Sequence, residues 1–189
     1  MRISCAAILL LITVFCFIAE AAEISHTFPV QPAKSASFKK GGHGYPGIDI
    51  FARKGTAFVS PVSGTVEDVQ GTDLWEKTRD PAMKGGIWLS ITGDDGYRYY
   101  GSHLEGIAAG ITVGKRVKPG EILGYIGASG NAKHTPSHLH FGISLASRPY
   151  SYIVRRGEIE PYFFLACLRS NRCDPLKALD DAARKSKSR

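Results

Sequence analysis

Three short segments carry most of the chemistry in this chain. One reads Ser137-His138-Leu139-His140-Phe141, the second His43-Gly44-Tyr45-Pro46-Gly47-Ile48-Asp49, the third Tyr99-Tyr100-Gly101-Ser102-His103-Leu104. Together they supply three metal ligands and two further imidazoles. Zinc is held through neutral imidazole nitrogen or carboxylate oxygen, and a catalytic zinc leaves one position open to water. The imidazoles left over could move protons or stabilise charge. The reaction class this points to is metal-assisted hydrolysis. Each residue also has a plainer explanation. A lone histidine on a strand is commonly a half-buried or surface group, an aspartate between two isoleucines can serve a turn or an ion pair, and Tyr45-Pro46 can simply shape a turn. His26 and His134 are left with that plainer explanation: the first falls in a flexible lead-in, the second in the loop before Thr135-Pro136.

The elements that must position these groups are strands. Side chains alternate along a strand, so His138 and His140 point to one face while Leu139 and Phe141 enter the core. Asp49 likewise projects opposite to Ile48 and Ile50, and His103 ends an aromatic strand. Short strand signals recur at 48–52, 56–60, 64–69, 86–92, 97–102, 122–126 and 138–145, punctuated by Gly and Pro. Gly93-Asp94-Asp95-Gly96 has the composition of a hairpin turn. This pattern predicts a mainly β fold, a single domain of antiparallel sheet with a short C-terminal helix. That helix is expected over Pro175 to Lys185, with Asp174 as N-cap and Pro175 in its first position. One helical turn is expected within the long loop Thr72–Lys84, which with Trp75 walls the groove. Tyr45, Tyr99 and Tyr100 are groove candidates without an assigned catalytic role. Residues 185–189 read as a disordered basic tail.

Composition narrows the setting. Arg2 followed by the apolar stretch Ile3 to Ala19, then Ala19-Glu20-Ala21, reads as a secretory signal peptide cut after residue 21. Export to the periplasm or the medium follows, with no stable membrane insertion after cleavage. Cleavage removes Arg2 and Glu20, one charge of each sign, so the net charge stays at +7. A basic exported protein suits anionic polymers such as wall glycans. No basic helix or aromatic RNA-binding motif supports a nucleic-acid partner. Cys5 and Cys16 leave with the signal. Cys167 and Cys173 remain, and in an exported protein such a pair forms a disulfide. The chain therefore divides into a signal (1–21), an irregular lead-in (22–42), a β domain (43–162), and a C-terminal disulfide loop, short helix and tail (163–189).

The three segments, taken with their surroundings, resemble the lysostaphin-type or LytM-domain zinc metallopeptidases, bacterial enzymes that cut peptide cross-links of peptidoglycan. Gly55-Thr56 and Pro61-Val62-Ser63-Gly64-Thr65-Val66 resemble that family's first hairpin. The stretch Val113 to Gly124 resembles its turn-and-strand signature, and Gly127-Ala128-Ser129-Gly130 leading to Ser137–Phe141 its most recognisable segment. Glu160-Pro161 resembles the usual end of the domain. The resemblance implies a LytM/lysostaphin-like, duplicated-hybrid-motif-like β architecture. It further implies one Zn2+ per chain held by His43, Asp49 and His140, with His103 and His138 as catalytic histidines. The common pattern spaces its first His and Asp as His-x-x-x-Asp, whereas five residues separate His43 from Asp49 here. The implied function is hydrolysis of peptidoglycan peptide cross-links by a monomer. Two alternatives stand beside it: a non-catalytic LytM-like domain that binds and activates a cell-wall amidase, and a secreted Gly-Gly endopeptidase.

Overall fold

The apolar positions of this chain recur with the period of strands, and a computed structural model shows how they pair. It describes residues 24–41 and 44–187. The expected signal peptide and the expected ligand His43 lie outside the described residues. In chain order the strands are β1 (Val30–Gln31), β2 (Ser37–Phe38), β3 (Ile48–Phe51), β4 (Ala57–Val59), β5 (Gly64–Gln70), β6 (Trp88–Gly93), β7 (Tyr97–Ser102), β8 (Leu104–Ile107), β9 (Arg116–Val117), β10 (Ile122–Ile126) and β11 (His138–Leu145). The helices are α1 (Trp75–Thr78), α2 (Tyr152–Arg155), α3 (Tyr162–Ser170) and α4 (Pro175–Ser186).

Two antiparallel sheets form among the described residues. The larger has seven strands in the order β2-β3-β11-β7-β6-β5-β9, the smaller four in the order β1-β4-β10-β8. The mainly β, antiparallel architecture is the one expected. Leu139, Phe141 and Ile143 of β11, Ile48 and Ile50 of β3, and Tyr99 of β7 join Phe58, Leu104, Leu123 and Ile126 from the smaller sheet in one apolar cluster. Each such side chain stabilises the fold by about 1.5–3 kcal/mol on burial. The core therefore fixes which face of β11 and β3 is left for polar groups.

The chain crosses from the larger sheet to the smaller between β7 and β8. The single residue at that crossing is His103, in the left-handed region at φ 63°. A non-glycine residue held there costs of order 1–3 kcal/mol and persists only where its surroundings fix it. Its backbone N–H donates to the Gly85 carbonyl (2.9 Å) and its carbonyl accepts from Gly127 N–H (3.0 Å).

Two expectations about the chain ends require correction. The described part of the expected lead-in 22–42, residues 24–41, is not irregular: β1 and β2 add an edge strand to each sheet, and Phe28, Val30 and Ala36 are buried. The basic tail is not disordered from Lys185, since α4 continues through Ser186. The start of α4 is as expected, with the Asp174 carboxylate accepting from the N–H groups of Leu176 and Lys177. The nine-residue helix α3 has no counterpart in the sequence expectations. Its Phe164 and Leu165 enter the core, it packs on α4, and the Cys167–Cys173 disulfide (Cα–Cα 5.4 Å) joins its last turn to the connection. Among the described residues no helix is long and apolar enough to cross a membrane.

Candidate active site

Strand register brings the polar residues together. β11 lies between β3 and β7, and His140 is directly opposite Asp49 on one side and Ser102 on the other. Directly paired residues share a face with their Cβ atoms about 5 Å apart. His138 lies two positions along the same strand and so on the same face. His103 reaches that face from the kink after Ser102. The result is compact: His140 Nδ1 is 3.0 Å from Asp49 Oδ1, and His138 Nε2 is 3.8 Å from Asp49 Oδ2. The His103 ring centre is 4.9 Å from that of His138 and 6.2 Å from that of His140. The three imidazoles open on a cavity of about 210 Å³.

Each imidazole is oriented by a backbone carbonyl, which can only accept, so the bonded ring nitrogen carries the hydrogen. His103 Nδ1–H donates to Ser129 O (2.9 Å) and His138 Nδ1–H to Pro136 O (2.8 Å), leaving Nε2 of both rings as the lone-pair nitrogen. His140 is oriented the other way round, its Nε2–H donating to Arg156 O (2.9 Å). In the neutral ring this leaves the lone pair on Nδ1, which is 3.0 Å from the Asp49 carboxylate. A proton or a metal cation between or beside these two atoms satisfies both of them. Such a donor set, imidazole nitrogen with carboxylate oxygen and a carbonyl fixing the ring, suits zinc. Among the described residues no group of three or more His, Cys, Asp or Glu forms a metal site. Asp49 and His140 are two of the three expected ligands, and the third, His43, lies outside the described residues.

Electrostatics separates the remaining groups. Burial, then the nearby His138 and His140, push His103 down to about 4, so its ring is neutral at neutral pH. Tyr45 is raised, chiefly by burial, with Arg156 opposing and Asp49 reinforcing the shift. Tyr100 is raised, again chiefly by burial. Both phenols stay protonated at neutral pH.

The cavity walls come from two loops. The 3-10 turn Pro81–Met83 is capped by the Asp80 carboxylate, and Pro81, Ala82, Lys84 and Gly85 line one side. This loop is tied to the loop after β10: Asp73 accepts from Gly130 N–H (2.7 Å) and Lys84 O from Asn131 N–H (3.0 Å). Trp75 does not line the cavity and stacks instead under Arg79 and Lys84. Of the tyrosines, Tyr45 and Tyr100 line it, whereas Tyr99 points into the core against Phe141 and Phe164. His134 is exposed and absent from the lining. The other side is formed by Tyr152, Arg155 and Arg156, which sequence reasoning missed. They are ten or more residues past the histidine pair, and an Arg-Arg-Gly run in a loop has no spacing that points to a site.

Comparison with known proteins identifies the arrangement. Residues 43–151 match Peptidase family M23. The chain belongs to that family. A relative from Bacillus subtilis (strain 168), named L-Ala--D-Glu endopeptidase, is 31% identical over 132 residues, which is 62% of this chain and 37% of the relative. The chain thus spans little more than a third of that relative's length. Among solved structures, the catalytic domain of the antimicrobial peptidase lysostaphin from Staphylococcus simulans aligns with a TM-score of 0.56 and 25% identity, covering 75% of this chain and 99% of that one. A lytM protein of Ruminococcus gnavus aligns with a TM-score of 0.55 and 25% identity, over 84% of this chain and 62% of that one. Membership of M23 and these likenesses support peptidase activity. The M23 match ends at residue 151, before Tyr152, Arg155 and Arg156.

Proposed function

We propose that this chain is a zinc-dependent endopeptidase that hydrolyses peptide bonds in bacterial peptidoglycan, with His43, Asp49 and His140 holding one zinc ion and His103 and His138 as its catalytic histidines. The observation that carries the proposal is the approach of His140 Nδ1 to Asp49 Oδ1, at 3.0 Å, beside two further imidazoles that line a cavity with His140. Membership of M23 and likeness to a relative named for an endopeptidase activity support it. Zinc bound there would lower the pKa of a water ligand to about 7 and polarise the scissile carbonyl.

The chain's own residues supply the rest. Hydrolysis adds the oxygen of water to the carbonyl carbon and delivers protons to the departing nitrogen. His138, with Nδ1–H held by Pro136, offers Nε2 as a proton acceptor next to Asp49. His103, held by Ser129, offers a second Nε2. Because its conjugate acid is strong, a proton received by His103 passes readily to a leaving amine. The two rings can therefore take a proton from the attacking water and return it to the amine. Tyr45 and Tyr100, neutral phenols on the wall, act only as hydrogen-bond donors or packing surfaces.

We place the activity outside the cytoplasm, in the periplasm or the medium. The apolar stretch 3–19 and the Cys167–Cys173 disulfide support that placement. Digestion of purified peptidoglycan followed by mass spectrometry of the released muropeptides tests the whole proposal. New peptide termini are expected, abolished by a chelator and restored by zinc. Muropeptides left intact by zinc-loaded protein would contradict it.

A further inference from the structure

We propose that Arg156 determines substrate specificity at this site, its guanidinium receiving a carboxylate of the peptide within one residue of the scissile bond. The inference rests on the peptidase reading above. It begins from a mismatch of boundaries: the family match stops at residue 151, yet α2 and the residue after it wall the cavity. This wall is built into the site. The Arg156 carbonyl holds His140, and two glycines let the segment approach closely. A Cβ at Gly142 on β11 would lie 2.5 Å from both the carbonyl carbon and oxygen of Arg156. Gly157, at φ +131°, is a position where a Cβ would lie 1.8 Å from Pro46 O. The backbone of Arg156 is thereby fixed on one side by β11 and on the other by the Tyr45–Gly47 loop.

The two adjacent arginines then differ. Arg155 is buried and its guanidinium is fully engaged. It lies 4.1 Å over the Trp88 ring, donates to Ala82 O (2.7 Å) and Tyr150 Oη (3.4 Å), and is 3.7 Å from the Asp68 carboxylate. It clamps α2 to the opposite wall. Arg156 is half-buried, and its guanidinium lies 4.1 Å over the Tyr45 ring and 6.0 Å from that of Tyr152. Its Nε is buried and has no hydrogen-bond partner, and among the described residues no carboxylate pairs with it. Tyr45 in turn touches His140, with ring centres 5.7 Å apart.

A partly desolvated cation without a paired carboxylate gains when an anion arrives. The planar fork of Arg matches a carboxylate through two parallel N–H···O bonds, a fit that an ammonium cannot reproduce. With Nε buried and no hydrogen bond from the guanidinium to the described residues, the Nη end of this cavity-lining side chain suits a carboxylate borne on the side chain or chain end of a residue flanking the cleaved bond. An oligoglycine without such a group would gain nothing from it.

The test uses two peptides, N-acetyl-L-Ala-D-Glu-L-Lys and its D-Gln counterpart, which differ only in carboxylate against carboxamide. Binding to the full chain without added zinc is measured by calorimetry, and cleavage by the zinc-loaded chain is measured separately. The acid is expected to bind and be cleaved about 10–100-fold better than the amide, with the difference in KM, as for loss of a charged hydrogen bond. Arg156→Gln should erase that preference, and Arg156→Lys should retain part of it while reporting on any folding defect of the Gln variant. Equal binding of the two peptides by the wild type would overturn the proposal. So would an equal loss for both in Arg156→Gln. Cleavage of both peptides at equal rates with equal binding leaves the peptidase reading standing and removes the carboxylate site. Preferential binding of the acid that disappears in Arg156→Gln, without any cleavage, does the reverse.

Discussion

Two histidine–aspartate pairs sit at opposite ends of β7, and their surroundings differ. At the hairpin end, His26 Nε2 is 2.8 Å from Asp95 Oδ2, with both side chains nearly inaccessible, at 2% and 0% exposure. Asp95 also accepts from Tyr97 N–H and from the Tyr99 hydroxyl, and the His26 ring stands edge-on to Phe164. That pair is closed, with both carboxylate oxygens engaged and both side chains shielded from solvent. At the other end, His140 faces Asp49, whose side chain is 24% exposed, beside a cavity shared with two more imidazoles. The closed pair ties the first described residues to the β6–β7 turn and to α3. The open pair has a partly exposed carboxylate and a ring that lines the cavity. A histidine next to an aspartate therefore says little by itself; what distinguishes a site is a lone pair directed at a carboxylate within reach of a cavity.

The largest expected effect comes from removing the open pair. Asp49→Ala or His140→Ala should reduce activity to background in the muropeptide assay, and His43→Ala should do the same. His103→Ala and His138→Ala should lower kcat by about 10²–10⁴-fold while leaving zinc bound, the range for losing a proton-transfer group. A third change acts through the backbone. Gly142→Ala should displace the Arg156 carbonyl from His140 and weaken zinc binding by about 10–100-fold, as loss of a ligand's supporting partner does, measured by competition with a chromogenic chelator. The closed pair should respond in a different quantity. Asp95→Ala should destabilise the protein by about 1–3 kcal/mol, because it leaves buried partners unsatisfied. Denaturant unfolding would record that loss, while kcat/KM of the folded protein should be unchanged. An Asp95→Ala variant that lost zinc as Asp49→Ala does would erase the distinction between the two ends.

Much of the architecture was legible because it rests on local chemistry. The alternation in His138–Leu145 defines a strand whose two faces must differ, and β7, β10 and β11 occupy the residues that this pattern indicates. Asp174-Pro175 marks a helix start through its own hydrogen bonds. The elements that escaped are those fixed by distant partners. β1 and β2 are two-residue strands that exist because β4 and β3 offer them edges. Helix α3 begins at Pro161 without a side-chain cap and is rich in aromatics, so packing of Phe164 and Leu165 rather than propensity stabilises it. The same holds within the site. Asp49, His103, His138 and His140 could be picked out by residue type and strand geometry, and the fold brings these four together. Arg155 and Arg156 could not, because they acquire their place only when Gly142 and Gly157 admit the segment that carries them.

Zinc content by mass spectrometry of the purified, zinc-loaded and desalted chain, compared between the two pairs, tests the central claim most directly. One zinc per chain is expected in the wild type and in His26→Ala, and none in Asp49→Ala or His140→Ala. A wild-type chain that retains no zinc, or an Asp49→Ala chain that retains a full equivalent, would contradict the account.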